Sequence, residues 1–315
     1  MARRSVWRIG VLAALAMAPA LSAFAQAVPQ VTVSALDQSV LIGTPITFTV
    51  AFDNASPSQT GYGPFIDVIL PATGADGAGP ALDDGITFVS ATYLGQPVTA
   101  TTITFNASGQ ATHPYAVDAT GAPLIVTGTP GDQLVVLQLP FGGFTPDQPP
   151  AAVVVTASLS NLADAGFALP IRARGGFQYG NDALANPATD PSIVGTFPAA
   201  GVAPSVVPTV MRLTKTYIGP EDETATGPNF PRRYRIAVDI AEGQTGTALD
   251  GSDALPSNLQ FLAVTAASAI GSPPVTAVAT PSTTTPGGTL TRRFASVTGT
   301  SGAEDAILEF SFYVP

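Results

Sequence analysis

The sequence has no cysteine and only one lysine, one histidine and one tryptophan among its 315 residues. Without cysteine the chain has no disulfide, no thiolate metal ligand and no cysteine nucleophile, so its stability must come from buried apolar surface. A zinc site around the single histidine, His113, would need three carboxylates, which is a rare ligand set. The tryptophan, Trp7, lies close to the N-terminus, and the seven tyrosines are dispersed. This distribution argues against an aromatic platform for sugars.

Charged residues are scarce, and basic residues are the scarcer kind. Charged side chains make up 11% of the chain, and the net charge is −10. Three of the twelve basic residues lie within the first 27 positions, which leaves nine scattered among acidic residues. Nucleic acids and anionic membranes are recognised by basic stripes, so we expect neither as a partner. An apolar content of 45% also excludes a disordered chain.

The longest apolar run, Gly10–Leu21, lies near the N-terminus. It follows three arginines and precedes two overlapping small-x-small sites that end at Ala25 and Ala27. This order is typical of a secretory signal peptide, predicted over 1–27, and the alternative is a buried N-terminal helix. A membrane helix needs roughly 20 apolar residues, and no other run approaches that length. We therefore expect an exported protein, extracellular or at the cell surface, with no membrane-spanning segment after processing.

Short alternating segments separated by turn residues fill the rest of the chain. In Ile46–Phe52 the apolar residues fall at every second position, as in a strand with one buried face. The nearest helical candidate, 161–169, is short and contains Gly166. Many short strands bounded by glycine and proline predict an all-β chain made of tandem Ig-like antiparallel β-sandwiches.

Four pairs of segments resemble one another in the same order, which indicates an internal duplication. The pairs are Val33–Ala35 with Leu213–Lys215, Thr47–Asp53 with Arg233–Asp239, Ile86–Ala91 with Leu259–Val264, and Val126–Gly131 with Val297–Gly302. They predict a first β-sandwich over 28–198, a Pro/Ala/Val-rich linker over 199–208 and a second β-sandwich over 209–315.

The two predicted copies differ in length beyond their last matched segment. The second copy continues for far fewer residues after Gly302 than the first does after Gly131. We therefore expect the second domain to be incomplete, with an unpaired C-terminal strand, whereas the alternative is a naturally short domain.

Several core positions also match a known sequence pattern. The matching residues are Gly43, Phe48, Asn54, Leu70, Pro71, Phe88 and Val89, and more faintly Pro256, Phe261 and Val264 in the second copy. In these segments the chain resembles the bacterial surface-repeat family known as domain of unknown function eleven. It departs from that pattern at Asp67 and in the insertion after Pro71. The resemblance implies an Ig-like sandwich in a secreted or cell-surface bacterial protein, often an adhesin-like or wall-associated stalk.

Oxygen-bearing side chains cluster in the loop Gly176–Pro191. Asp182 and Asp190 are its candidate Ca²⁺ ligands, but Ca²⁺ takes six to eight oxygens and the loop lacks a glutamate and the EF-hand spacing. The alternative is a structural loop made of Asx turns. Apart from this calcium candidate, we expect no cofactor.

The single lysine, Lys215, raises the hypothesis of an intramolecular isopeptide bond. Such a bond needs a buried neutral amine, an Asn or Asp acceptor on a neighbouring strand and a buried acid, for which Asp239 is the candidate. The repeat alignment places Ala35 opposite Lys215, so the first copy lacks the lysine. The alternative is a strand-edge lysine whose ammonium reaches water.

The motifs that carry catalysis or nucleotide binding are absent from the sequence. There is no Gly-x-Ser-x-Gly, no phosphate-binding loop and no dinucleotide fingerprint. We expect a non-enzymatic structural or adhesive module of a bacterial surface protein, with other surface proteins, host, matrix or cell-wall components as partners. The alternative is an accessory module of a secreted enzyme, which would bind carbohydrate.

Overall fold

The computed structural model describes residues 26–37, 39–76, 84–183, 191–221, 224–302 and 304–315. Within these ranges the chain consists of β-strands and loops, with one short 3-10 helix at Ala200–Val202 and no α-helix. The all-β prediction is confirmed. None of the described segments forms a helix long and apolar enough to cross a bilayer. Most of the predicted signal peptide, up to residue 25, lies outside the described ranges.

The first domain is a sandwich of two five-stranded sheets. Its strands are β1 (Pro29–Val33), β2 (Val40–Leu41), β3 (Pro45–Asn54), β4 (Gly61–Tyr62), β5 (Pro64–Leu70), β6 (Ile86–Tyr93), β7 (Gln96–Pro97), β8 (Thr99–Thr104), β9 (Gln110–Val117), β10 (Pro123–Thr127), β11 (Gln133–Gln138), β12 (Gly143–Phe144), β13 (Ala151–Leu159), β14 (Leu169–Pro170), β15 (Arg172–Phe177), β16 (Ile193–Val194), β17 (Ser205–Val206) and β18 (Pro208–Thr209). The sheet orders are β1-β3-β13-β6-β7 and β16-β15-β5-β11-β8.

Alternation along β3 builds one wall of the core. Ile46, Phe48, Val50 and Phe52 are all buried, as their period-two spacing predicts. Strand β5 is buried along its whole length. One face of β5 joins the sandwich core, while Phe65 and Ile69 on the other face pack under the hairpin β9–β10.

The second domain repeats this arrangement with fewer strands. Its strands are β19 (Met211–Gly219), β20 (Arg232–Ile240), β21 (Thr245–Leu255), β22 (Gln260–Ala269), β23 (Val275–Ala279), β24 (Gly288–Thr298) and β25 (Ala306–Tyr313). The sheet orders are β19-β20-β25-β22 and β21-β24-β23. Along the chain, these strands alternate between sheets in the same order as β1, β3, β5, β6, β8, β11 and β13. Among the described residues, β15 is the strand of more than two residues in the two five-stranded sheets that has no counterpart, and the hairpin β9–β10 has none either.

The strand pairing corrects three expectations from the sequence. Val33 pairs with Val50 and Lys215 pairs with Ile236, so the matched β3 and β20 segments make Val33, not Ala35, the counterpart of Lys215. The Val126–Gly131 match is not structural, because that segment precedes β11, whereas Val297–Gly302 begins in the last two residues of β24, the counterpart of β11. The C-terminal strand β25 is not an edge strand, because it lies between β20 and β22.

The predicted linker is not a free spacer. Its strand β17 pairs with β14, and β18 pairs in parallel with β2. Val206 is buried in the core of the first domain. The segment therefore belongs structurally to the first domain, because its backbone and an apolar side chain are used there.

Candidate functional site

Lys215 lies on the core-facing side of the edge strand β19. It is directly opposite the buried Ile236 on β20, and residues directly opposite in an antiparallel pair share a face. Its Nζ lies 2.8 Å from a carboxylate oxygen of Asp253 and 4.5 Å from the centroid of the Tyr234 ring. The lysine side chain is 39% exposed and the Asp253 side chain is 10% exposed. The contact is therefore a partly shielded ion pair that includes a cation–π contact.

Asp253 lies on the inner face of β21, where an apolar residue is the norm. Leu249 and Leu255 on the same face pack into the core of the second domain, and Asp253 is directly opposite the buried Leu290. The sequence alone suggests a solvated turn for this acidic segment, whereas the structure places it within a long strand. The alternation of small residues in β21 carries little hydrophobic signal, so the sequence offers no clear indication of a strand.

Asp239, the acid proposed for the isopeptide hypothesis, is not the carboxylate beside Lys215. Asp239 accepts a hydrogen bond from Arg212 at 3.0 Å, across the same strand pair as Lys215. The carboxylate that Lys215 contacts is that of Asp253. The hypothesis requires a buried amine, and the observed amine is instead partly exposed beside a carboxylate.

A second polar cluster, Asp67–His113–Arg174, lies inside the first domain. His113 Nε2 is 2.9 Å from Asp67 Oδ1, and Arg174 Nε donates to Asp67 Oδ2 at 2.8 Å. The side chains of His113 and Asp67 are fully buried. The three residues come from β9, β5 and β15, so the cluster joins the hairpin to the sheet. His113 therefore lies within a strand, although the glycine and proline near it in the sequence are typical of a loop.

Hydrogen bonding assigns the tautomer of His113. Its Nδ1 accepts from the backbone N–H groups of Tyr115 and Ala116, so the ring proton lies on Nε2 and is donated to Asp67. Arg174 balances the carboxylate charge, and its guanidinium lies 4.4 Å from the Phe197 ring centroid. Because the carboxylate and imidazole are enclosed, the cluster is a structural clasp that a substrate could not reach.

The structure describes only one of the two calcium candidates, Asp182. Asp182 is exposed, and its backbone N–H donates to the Tyr179 carbonyl in a turn. Asp190 lies outside the described residues. A different carboxylate group, Asp76, Asp84 and Asp164, brings oxygens within 4.8 Å of one another. Carboxylates often approach one another in proteins without a metal ion, so this proximity alone does not identify a metal site.

Another buried carboxylate, that of Asp132, connects two loops at one end of the first sandwich. Asp132 accepts hydrogen bonds from the Thr73 hydroxyl at 2.8 Å and from its backbone N–H at 3.3 Å. Burial raises the pKa of Asp132, while the hydrogen bonds from Thr73 oppose that shift. The residue therefore pins the loop after β5 to the turn before β11.

Comparison with known proteins identifies no family for this chain, and the solved structures it matches are only distantly similar. No family model and no curated protein match the chain. The C-terminal domain of the Streptococcus agalactiae AgI/II polypeptide BspA is 11% identical, with 91% of this chain and 90% of that one covered and a TM-score of 0.28. The 35 kDa C-terminal fragment of the S. agalactiae major pilin GBS80 is 12% identical, with coverages of 91% and 79% and a TM-score of 0.30.

The same comparison also includes an enzyme. AvmM, which catalyses macrocyclization in alchivemycin A biosynthesis, is 11% identical over 54% of this chain and 85% of its own, with a TM-score of 0.28. At these identities and TM-scores the three matches support no conclusion about the function of this chain.

Proposed function

We propose that the chain is a non-enzymatic structural module of an exported bacterial surface protein, in which tandem β-sandwiches act as a spacer. The observation that carries this proposal is the repetition of one strand order in two domains, with the intervening segment paired to the first. The buried carboxylate of Asp67 is bound by His113 and Arg174 of the same domain, so it is not available to a substrate. The resemblance to the surface-repeat family agrees with this role.

Export is part of the proposal, and the structure favours one of the two processing sites. Ala27 is buried, and its backbone N–H donates to Asn181 Oδ1 at 3.2 Å. Cleavage after Ala27 would remove this contact, whereas cleavage after Ala25 keeps it. N-terminal sequencing of the secreted protein is expected to begin at Gln26, and a start at Val28 would contradict this reading.

The alternative, a carbohydrate-binding module, is favoured by one cleft of about 290 Å³ in the first domain. Tyr115 and Phe141 line it together with Gln138 and Gln178. Aromatic faces beside amide groups are suited to a sugar ring.

A glycan array on the full chain separates the two functions. The structural proposal predicts no saturable binding. Binding that Phe141→Ala abolishes, with Phe167→Ala on an exposed loop as the control, would establish the alternative instead.

A further inference from the structure

The loop between β23 and β24 carries the longest run of serine and threonine in the sequence. Residues 282–285 are Ser-Thr-Thr-Thr, with Pro281 before them and Pro286 after them. All four hydroxyl residues are exposed. Segments rich in serine, threonine and proline are typical acceptors of O-linked sugars, so the chemistry of this loop points to a modification site.

The first part of this loop is fixed to the second domain. The buried Gln260 donates from Nε2 to the Ser282 carbonyl at 2.8 Å, and Pro281 beside it is also buried. Arg292 donates to the Thr280 hydroxyl at 3.1 Å and to the Ala279 carbonyl at 2.9 Å. These contacts hold the start of the loop, so that the exposed residues after it are presented at a defined place on the surface.

Hydrogen bonding divides the four hydroxyl groups into two kinds. Ser282 Oγ accepts from the backbone N–H groups of Thr284 at 3.1 Å and Thr285 at 3.0 Å, and it also lies 3.1 Å from the Thr284 hydroxyl. In the part of the chain that the structure describes, the hydroxyls of Thr283 and Thr285 have no protein partner. These two hydroxyls can therefore be modified without breaking the turn.

The surface beside the loop lacks the charges that usually protect a sheet edge. The segment 254–291, which includes the edge strands β22 and β23, contains no charged residue. Strand β23 has a bulge at Val278, which is 52% exposed. An uncharged edge strand is prone to pair with another chain, and a bulky polar group close to it would hinder that approach.

We propose that Thr283 and Thr285 are O-glycosylated and that the attached sugars shield the edge strands β22 and β23. In each transfer a bond forms between the threonine Oγ1 and C1 of the sugar, while the bond between C1 and the phosphate of an activated sugar donor breaks. The hydroxyl proton passes to a base of the transferase, and the donor phosphate leaves. This modification goes beyond the spacer role, because spacing alone needs no acceptor hydroxyl.

The intact mass of the full chain, isolated from the organism that encodes it, tests the modification. We expect the polypeptide mass plus that of one or more sugar residues, located at Thr283 and Thr285 by electron-transfer fragmentation. Thr283→Val/Thr285→Val is expected to lose all of the added mass. Thr214→Val/Thr216→Val is the matched control and is expected to keep it, because these threonines are exposed at the same spacing but lie in β19, whose backbone pairs with β20.

An unmodified intact mass would overturn the proposal, as would sugars at other residues or an added mass that survives Thr283→Val/Thr285→Val. Cell fractionation distinguishes the donors: modified chain in the cytoplasm indicates a nucleotide-linked sugar, whereas modification confined to exported chain indicates a lipid-linked sugar. Analytical ultracentrifugation tests the shielding. The double variant is expected to self-associate at concentrations at which the modified chain is monomeric, and equal behaviour of the two would contradict the shielding role.

Discussion

The two domains share one strand order but differ in whether a further strand covers one side of the sandwich. In the first, β15 covers β1 and β5, and apolar residues such as Val33 and Val68 face inward. In the second, no described strand holds that place. Alignment of Leu70-Pro71 with Leu255-Pro256 makes Asp253 the counterpart of Val68, so the ion pair Lys215–Asp253 stands where the first domain has two valines. Partial exposure explains how the charges are tolerated, because water still reaches the ammonium. Lys215 therefore lies at an open side of the second sandwich.

Breaking the clasp is expected to have the largest effect on the first domain. Asp67→Ala leaves the His113 Nε2–H and the Arg174 guanidinium without their buried acceptor. We expect a loss of about 3–5 kcal/mol in the free energy of unfolding, measured by urea denaturation. Asp239→Ala is the control, because its partner Arg212 is half exposed and such pairs contribute about 0–1 kcal/mol. Equal effects of the two changes would contradict the clasp.

Replacing a glycine by valine is expected to destabilise the chain at Gly176 in β15 and to be tolerated at Gly251 in β21. A Cβ at Gly176 in β15 would lie 2.1 Å from the Phe65 ring, so Gly176→Val should cost about 1–3 kcal/mol. At Gly251 in β21 the nearest atom to an added Cβ lies 3.5 Å away. Gly251→Val is expected to change stability by less than about 1 kcal/mol. Thermal unfolding of both variants measures the difference in stability. A large loss of stability in Gly251→Val would show that the space beside Gly251 is already filled.

The ion pair Lys215–Asp253 can be replaced by two valines, the residues found at the corresponding positions Val33 and Val68 of the first domain. Lys215→Val alone leaves Asp253 largely buried without its cation and is expected to cost about 1–2 kcal/mol. The double change Lys215→Val/Asp253→Val is expected to recover this loss, because apolar replacements of shielded ion pairs are often neutral or stabilising. A double-mutant cycle by urea denaturation measures the coupling. Additive losses would contradict the equivalence of the two sites.

The smallest expected effect is a pH dependence at two aspartates of the first domain. The raised pKa of Asp132 means that the folded state binds its proton more tightly, so stability falls as pH rises from the ordinary value of about 3.8 through the higher folded value. Asp132→Asn should remove this fall. Hydrogen bonds from Thr120 lower the pKa of Asp118, so its contribution is instead lost as pH falls. Denaturation between pH 3 and 7 should therefore give opposite slopes for Asp132→Asn and Asp118→Asn relative to the unmodified chain.

Local patterns predict the strands that have strong alternation and miss those that do not. Ile46–Phe52 is predicted as a strand because its large apolar residues repeat at period two. Strand β21 escapes prediction because Gly251 and Asp253 separate Leu249 from Leu255 on its inner face and interrupt the apolar alternation. The clasp escapes it too, because Asp67 lies 46 residues from His113 and 107 from Arg174, so that only the folded sheet brings them together.

Amide hydrogen exchange on the full chain tests the central comparison most directly. The segment 64–70 of β5 has a hydrogen-bonded neighbour on each side, whereas 245–255 of β21 has one. We expect the amides of β21 that point away from β24 to exchange at least tenfold faster than any amide of β5, because unpaired amides need no opening reaction. Uniform protection along β21, equal to that of β5, would contradict the account.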